Sequence, residues 1–339
     1  MSRTVAVLGA GSWGTALAIH LARNGHAVRL WARSAELVER LVREREHTAV
    51  HPTIRFPEGI VATTDLSWAC GMADAVVFVC ASHGVRELAA RVQGTLRGQP
   101  VIVSAAKGIE ESTQKTMSDV LEDTLGADHA GNVAALSGPS FAREVAAGIP
   151  TAVTAAAHTL GVAERVQALF HAPAFRVYTT TDLVGVEIGG AVKNVIAVAA
   201  GVSDGLGFGH STRAALITRG LAEISRLAVT MGADRQTLYG LSGLGDLALT
   251  CTGDLSRNRT VGLRLGRGES LREVLASMKE VAEGVRNTRS VHDLAIARGI
   301  EMPIAEQMFE VLYQQKEPRQ AVGELMKRRS RQEADDPVG

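Results

Sequence analysis

The side chains best suited to chemistry fall in a few short stretches. Lys193 stands beside Asn194 in the middle of GVEIGGAVKNVIAVAAG (185–201), a run otherwise almost wholly small and apolar. Small residues at helical spacing (Gly189, Gly190, Ala197, Ala200) predict a helix packed closely on all sides, and a helix that is apolar all round belongs in a core. An unpaired ammonium is costly there, and desolvation lowers a lysine pKa toward the range of a useful acid or base. The plainer alternatives are a lysine snorkelling to the surface or one paired with Glu187 on the same helix. Lys107 lies in SAAKG, just past an apolar run. A third stretch reads SGLGDLALTCT (242–252), with Asp246 and Thr250, followed by Ser256, Arg257 and Asn258. Arg257 with Thr250, Ser256 and Asn258 would cradle a phosphate, since a guanidinium fork matches phosphate geometry. The alternative there is an ordinary polar loop with helix caps.

A different chemistry opens the chain. Thr4 to Leu8 is a β-branched apolar run that enters Gly9-Ala-Gly11-Ser-Trp-Gly14. A helix over Thr15 to Asn24 follows, then Gly25 as its stop and a strand over His26 to Trp31. Strand, G-x-G-x-x-G, helix and strand is the dinucleotide-binding pattern in its required context. Gly9 permits the tight turn, Gly11 lets the backbone approach a pyrophosphate, Gly14 lets the helix lie close to the sheet, and free N–H groups at the helix start bind the anion. A site for NAD usually has an acid about 20 residues on for the ribose hydroxyl, whereas an arginine accommodates a 2′-phosphate. The second strand ends Trp31-Ala32-Arg33-Ser34 with no acid before Glu36. That favours NADPH, with Arg33 on the phosphate; a solvent-facing Arg33 is the alternative.

The elements that must position these groups alternate through the first half. A helix is expected over Glu36 to Arg45, an irregular connection over His47 to Pro57 and a buried strand over Ala75 to Cys80. A helix over His83 to Leu96 and strands over Pro100 to Ser104, Val133 to Leu136, Thr151 to Ala156 and Phe175 to Thr179 complete the set. Ligands of such sheets bind at the carboxyl ends of strands, which is where Lys107 and Ser137-Gly138-Pro139-Ser140 fall. Beyond Thr180 only helices are read. Val202 to His210 is expected to be a glycine-rich loop, with Ser211 or Thr212 capping a helix to Met231. Further helices are expected within Gly266 to Thr288 and over Pro303 to Gln314. The expectation is therefore an α/β doubly wound Rossmann-type domain (1–183), an all-α substrate domain (184–326) and a polar, disordered tail (327–339).

Composition bounds the function. The 339 residues are 46% hydrophobic and 21% charged, with 36 basic and 36 acidic side chains. This balance gives no global attraction to nucleic acid or a membrane surface. Three widely spaced cysteines (Cys70, Cys80, Cys251) show no metal-ligand spacing and are expected as reduced thiols in the cytoplasm. No secretory leader is expected, and no metal.

GAGSWGTALA (9–18), SAAKGIE (104–110), LSGPSFAREVAAGIPTAV (136–153), GGAVKNVIAVAAG (189–201), GLGDLALTCTGDLSRNRTVG (243–262) and VAEGVRNT (281–288) together resemble the bacterial-type NAD(P)-dependent glycerol-3-phosphate dehydrogenases. The resemblance spans about residues 4 to 325. It implies a 6-phosphogluconate-dehydrogenase-like helical domain, and reduction of dihydroxyacetone phosphate to sn-glycerol 3-phosphate, the head-group precursor of phospholipids, with NADPH preferred and NADH possible. It implies Lys193 as proton donor and acceptor, Lys107 touching cofactor and substrate, and Asp246 beside them. Gly138, Ser140, Asn194, Thr250, Ser256, Arg257 and Asn258 would meet substrate. Ser12, Trp13, Arg33, Ala142, Arg257, Val281 and Glu283 would meet cofactor. The chain departs from the family pattern at Cys80-Ala81-Ser82, where a proline is usual, and at His47-Thr-Ala-Val-His51-Pro52. Rival readings are a reductase of a β-hydroxyacid or ketopantoate-like substrate and a nucleotide-sensing module without chemistry. A homodimer is the expected assembly.

Overall fold

The computed structural model describes residues 2–278, 282–329 and 332. Val281 and, of the expected tail, residues 330, 331 and 333–339 lie outside the described residues. The chain forms two compact units, one of residues 1–106 and 117–183, the other of residues 107–116 and 184–339. The strip 107–116, which the sequence boundary at 183/184 leaves in the first domain, thus clusters with the second.

The first unit is one sheet. Its strands are β1 (Thr4–Leu8), β2 (Ala27–Trp31), β3 (Ile60–Thr63), β4 (Ala75–Phe78), β5 (Val101–Ser104), β6 (Val133–Ser137), β7 (Thr151–Ala157) and β8 (Phe175–Thr180), in the order β3-β2-β1-β4-β5-β6-β7-β8. The order reverses between β1 and β4, and such a switch point opens a ligand crevice at the carboxyl ends of the strands. Successive residues of β1 serve opposite faces: Val5 and Val7 join one apolar cluster, Ala6 and Leu8 the other. Both faces are covered by helices, so β4 reads AVVF without a polar residue and is buried throughout.

Some features of this unit have no counterpart among the expected elements. β3 falls between residues 57 and 75, where no element is expected; it is a four-residue edge strand beside β2, only partly buried, and so carries little apolar signal. A helix (Leu66–Cys70) follows it, capped by Asp65, whose carboxylate accepts the Trp68 N–H at 2.9 Å. β7 runs antiparallel to β6, a choice of direction that strand composition does not encode.

The second unit is built around the helix Leu183–Gly205. It is long and apolar enough to cross a membrane, yet 94% of its most apolar window is buried inside the fold. Glycines explain how. A Cβ on Gly201 would stand 2.0 Å from the Arg259 carbonyl oxygen, and one on Gly205 would stand 2.3 Å from that of Leu263. On the facing helix (Arg257–Gly266), Gly262 and Gly266 approach the carbonyls of Val198 and Val202 equally closely. Two glycine pairs at four-residue spacing let two helix backbones touch. The first four residues of the expected loop over Val202 to His210 therefore continue the central helix, and its first glycine, Gly205, is a packing residue. Ser211 and Thr212 are not caps either, because the next helix (His210–Thr230) starts one residue earlier, with Gly209 at its N-cap position. On another side, Gly220 of that helix admits Ile196, whose Cγ2 would lie 2.5 Å from an added Cβ.

Candidate active site

In the first unit, β1 runs into the glycine-rich turn. Gly9 adopts φ +128°, and a Cβ there would meet the Val79 carbonyl oxygen at 2.7 Å. A Cβ on Gly14 would stand 1.8 Å from the Gly9 oxygen, so these two glycines are demanded by the turn itself. Gly11 differs, since a Cβ on it meets nothing within 4 Å. The helix that begins at Ser12 (Ser12–Arg23) has no side-chain cap and no acid in its first turn, which leaves its N–H groups and positive dipole end for an anion. The Trp13 indole N–H is buried without a hydrogen-bond partner among the described residues. Open space over Gly11, uncapped amides and an orphaned donor fit the pyrophosphate end of a dinucleotide. At the end of β2, Ser34 caps the next helix by accepting the Leu37 N–H at 3.1 Å, and Arg33 is exposed. Past β6, Gly138 takes φ +141° because a side chain would meet the Val153 Cα at 2.9 Å. Ser140 donates to the Gly138 carbonyl at 3.0 Å, and Ala142 opens a short helix (Ala142–Ala147).

In the second unit the glycine-rich run before Asp246 explains how a carboxylate reaches a buried lysine. A Cβ on Gly189 would lie 2.7 Å from the Ser242 carbonyl oxygen, so the chain at 242–243 lies directly on the central helix. One helical turn beyond Gly189 comes Lys193. Asp246 heads the helix Asp246–Thr252 and is 1% exposed. Its Oδ1 accepts from Lys193 Nζ at 2.6 Å and its Oδ2 from Lys107 Nζ at 2.6 Å. Thr250, one turn after Asp246, also accepts from Lys193 Nζ at 2.7 Å and donates its hydroxyl to the Asp246 carbonyl at 2.6 Å. Two ammonium groups thus share one buried carboxylate, which leaves the cluster net positive. Burial draws the Lys193 pKa down to about 8, and the charge of Lys107 adds to the fall while Asp246 opposes it. The partners of Lys193 come from elsewhere than its own helix, so Glu187 is not needed to pair it.

The remaining polar residues are tied into the same unit. Asn258 donates to Asn194 Oδ1 at 2.8 Å and accepts the Gly284 N–H at 2.9 Å, which caps the helix Glu283–Arg298 from a distance. Ser256 caps its own helix through the Arg259 N–H at 3.2 Å, and Arg257, the first residue of that helix, is exposed. Of the expected phosphate cradle, Thr250 therefore faces Lys193, whereas Arg257 reaches the surface. Among the described residues no group of three or more His, Cys, Asp or Glu could hold a metal.

Residues 4–163 match the N-terminal part of the NAD-dependent glycerol-3-phosphate dehydrogenases and residues 182–323 match their C-terminal part. The chain belongs to the NAD-dependent glycerol-3-phosphate dehydrogenase family. It is 55% identical over 328 residues to a glycerol-3-phosphate dehydrogenase [NAD(P)+] of Geobacter sp. (strain M21), covering 97% of this chain and 98% of that one. The crystal structure of glycerol-3-phosphate dehydrogenase from Coxiella burnetii is similar at a TM-score of 0.92 and 40% identity, over 96% of this chain and 99% of that one. The yeast enzyme GPD1 matches at a TM-score of 0.82 and 25% identity, over 97% and 100% of the two chains.

Within this dehydrogenase fold four residues hold places that the sequence did not assign them. Asn287 is 1% exposed and donates to the carbonyls of Lys107 and Ala191; its place in VAEGVRNT was the only hint. His47 and His51, in the segment that departs from the family pattern, are buried with Nε2 at 3.1 Å from the Ala10 carbonyl and 2.7 Å from that of Ser12. They brace the backbone of the glycine-rich turn, and only the unusual histidines signalled it. Glu223, buried on the helix His210–Thr230, accepts the N–H groups of Ile304 and Ala305 and so caps the helix Pro303–Tyr313.

Proposed function

We propose that the chain interconverts dihydroxyacetone phosphate and sn-glycerol 3-phosphate, supplying glycerol 3-phosphate for phospholipid synthesis. It is an NAD(P)-dependent oxidoreductase by family. The observation that carries the residue assignment is the buried carboxylate of Asp246 held between Lys193 and Lys107.

Bound NAD(P)H supplies the hydride that the ketone carbon accepts. Lys193, as ammonium, gives the carbonyl oxygen its proton, and the ketone becomes a hydroxyl. Its pKa near 8 suits the task, since an acid works best when its pKa lies close to the working pH. In the oxidative direction the neutral amine takes that proton back. Asp246 keeps Lys193 charged and aimed, with Thr250 fixing a second direction of the ammonium. Lys107 adds a second positive charge where negative charge develops on oxygen. Arg257, Ser256 and Asn258 hold the phosphate end, with Asn194 as a neighbouring donor and Gly138 and Ser140 as further substrate contacts. The turn at Gly9, Gly11 and Gly14, with Ser12, Trp13, Arg33, Ala142 and Glu283, holds the cofactor. An exposed Arg33 with no acid before Glu36 supports NADPH over NADH. The first unit thus serves the cofactor and the second the acid–base chemistry. A cytoplasmic homodimer completes the proposal, on the grounds that three free thiols suit a reducing compartment and that two-fold dimers are the commonest assemblies.

Initial rates on dihydroxyacetone phosphate with NADPH and with NADH, at matched concentrations, test this reading. Faster turnover with NADPH is expected; equal or faster turnover with NADH overturns the Arg33 assignment. Lys193→Ala is expected to melt cooperatively and lose most turnover, and wild-type turnover in that variant removes Lys193 from its role.

A further inference from the structure

Lys107 and Lys193 come from different parts of the chain, and their side chains are long and flexible. Something must fix the two backbones before both can meet one carboxylate. Lys107 begins the strip 107–116, which an isolated bridge between Ile109 and Thr116 closes on itself and which holds to its unit through Ile109, buried in that unit's apolar cluster. We propose that Asn287 is a positioning residue that fixes the backbone of Lys107 against the helix of Lys193, and so sets how the two ammonium groups share Asp246. The inference rests on the roles given above to those three residues.

The geometry is a closed ring. Asn287 Nδ2 donates to the Lys107 carbonyl at 3.1 Å and to the Ala191 carbonyl at 3.2 Å. A carboxamide nitrogen has two hydrogens in one plane, so both are used and the two carbonyls are held at a set separation. Ala191 is two residues before Lys193 on the same helix. From Lys193 the ring continues through Asp246 to the Lys107 side chain, and so back to the Lys107 backbone. Asn287 is itself rigidly held. Its helix starts at Glu283, and Asn258 ties the Gly284 N–H of that first turn to Asn194, the neighbour of Lys193. Two contacts, three residues apart, therefore lock this helix to the central one. Asn287 touches neither ammonium group and acts only through backbone placement. A misplacement of about 1 Å costs on the order of a hundredfold in rate.

Asn287→Asp keeps the shape and replaces both donors with acceptors; Asn287→Ala removes them. Each variant is made in the full chain and, for the aspartate, also in a Lys107→Ala background. Thermal melts monitor folding, and kcat and KM are measured for both substrates. Both single variants are expected to lose roughly tenfold to a hundredfold in kcat, with KM for NADPH changed far less. In the Lys107→Ala background, Asn287→Asp is expected to add less than about threefold, because the group it positions is gone. Fully additive losses overturn the proposal, as does wild-type kcat in either folded single variant. A Lys193→Ala control separates the levels. If that control keeps turnover, the underlying site reading fails. If it is inactive while the Asn287 variants turn over normally, only the positioning role fails.

Discussion

Asp246→Asn should convert the reductase into an enzyme that works only at acid pH. At 2.6 Å, each ammonium–carboxylate pair is worth about 6 kcal/mol at an effective dielectric near 20. The asparagine keeps one acceptor oxygen but turns an N–H₂ toward the other lysine, so one attraction becomes a repulsion. Lys193 sits at about 8 even with Asp246 ionised beside it, which leaves roughly one pH unit of margin above neutrality. Losing half of one pair, about 3 kcal/mol, lowers its midpoint by about two units at 1.36 kcal/mol per unit. At pH 7.5 the lysine is then neutral, and reduction of dihydroxyacetone phosphate should fall on the order of a hundredfold. Part of that loss should return as the pH is lowered toward 6. Oxidation of glycerol 3-phosphate, which uses the neutral amine, should suffer less. The assay is kcat/KM for the ketone from pH 5.5 to 9 in wild type and variant, alongside a melting curve, since breaking a buried pair costs about 3–5 kcal/mol of stability. A uniform loss, with the alkaline limb of the profile unmoved, would falsify the claim that Asp246 keeps Lys193 charged.

In wild type, kcat/KM for ketone reduction should be flat below about 8 and fall above it as Lys193 loses its proton, whereas the oxidative direction should rise through the same value; profiles that bend together contradict the assignment. Gly201→Ala must push a methyl group toward the Arg259 carbonyl, 2.0 Å away, and should destabilise by about 3 kcal/mol or more. Gly161→Ala, where nothing lies within 4 Å in a helix, should be neutral or slightly stabilising. Melting temperatures of the pair decide this. His51→Ala removes a 2.7 Å hydrogen bond to the Ser12 carbonyl and should raise KM for NADPH by about fivefold, the equivalent of about 1 kcal/mol, with kcat little changed. An unchanged KM would remove His51 from the support of the cofactor turn. Glu223, raised to about 7 by burial against the help of two backbone N–H groups, binds a proton in the fold that the unfolded chain releases near 4.5. Stability should therefore fall as pH rises through that window, by up to about 3 kcal/mol, and Glu223→Gln should flatten the dependence.

The first unit was legible because its signals are local. A β-branched run, three glycines at fixed spacing and a helix identify β1 and its turn wherever they occur, and β4 to β6 announce themselves as apolar runs, while β8 alternates buried Phe175 and Val177 with exposed Arg176 and Tyr178. β3 was not legible, since an edge strand that buries only Ile60 fully leaves too little pattern, and the reversed direction of β7 is decided by which neighbour it meets. The end of the central helix was misread for a related reason. Glycine is read locally as a breaker, but Gly201 and Gly205 are there to admit Gly262 and Gly266 of another helix, a fact that exists only in three dimensions.

The site divides along the same line. That Lys193 stands on a core helix could be inferred from the run alone, because no polar stripe was left to face water, while burial of its own side chain stayed open there. What neutralises it could not, since Asp246 lies 53 residues on and Lys107 lies in a strip that joins the second unit. The polar residues show the limit most clearly. Thr250, Asn258 and Asn287 look alike in sequence, as hydroxyl or amide groups near a loop or a helix start. In the fold, Thr250 grips Lys193, Asn258 caps a helix 26 residues away and Asn287 joins two backbones. A residue type states which hydrogen bonds are possible, and the partners are set by which carbonyls and amides the packing leaves unpaired. Functional groups are thus readable from sequence where burial itself is the signal, and the residues that position them become readable only once the backbone groups they satisfy are known.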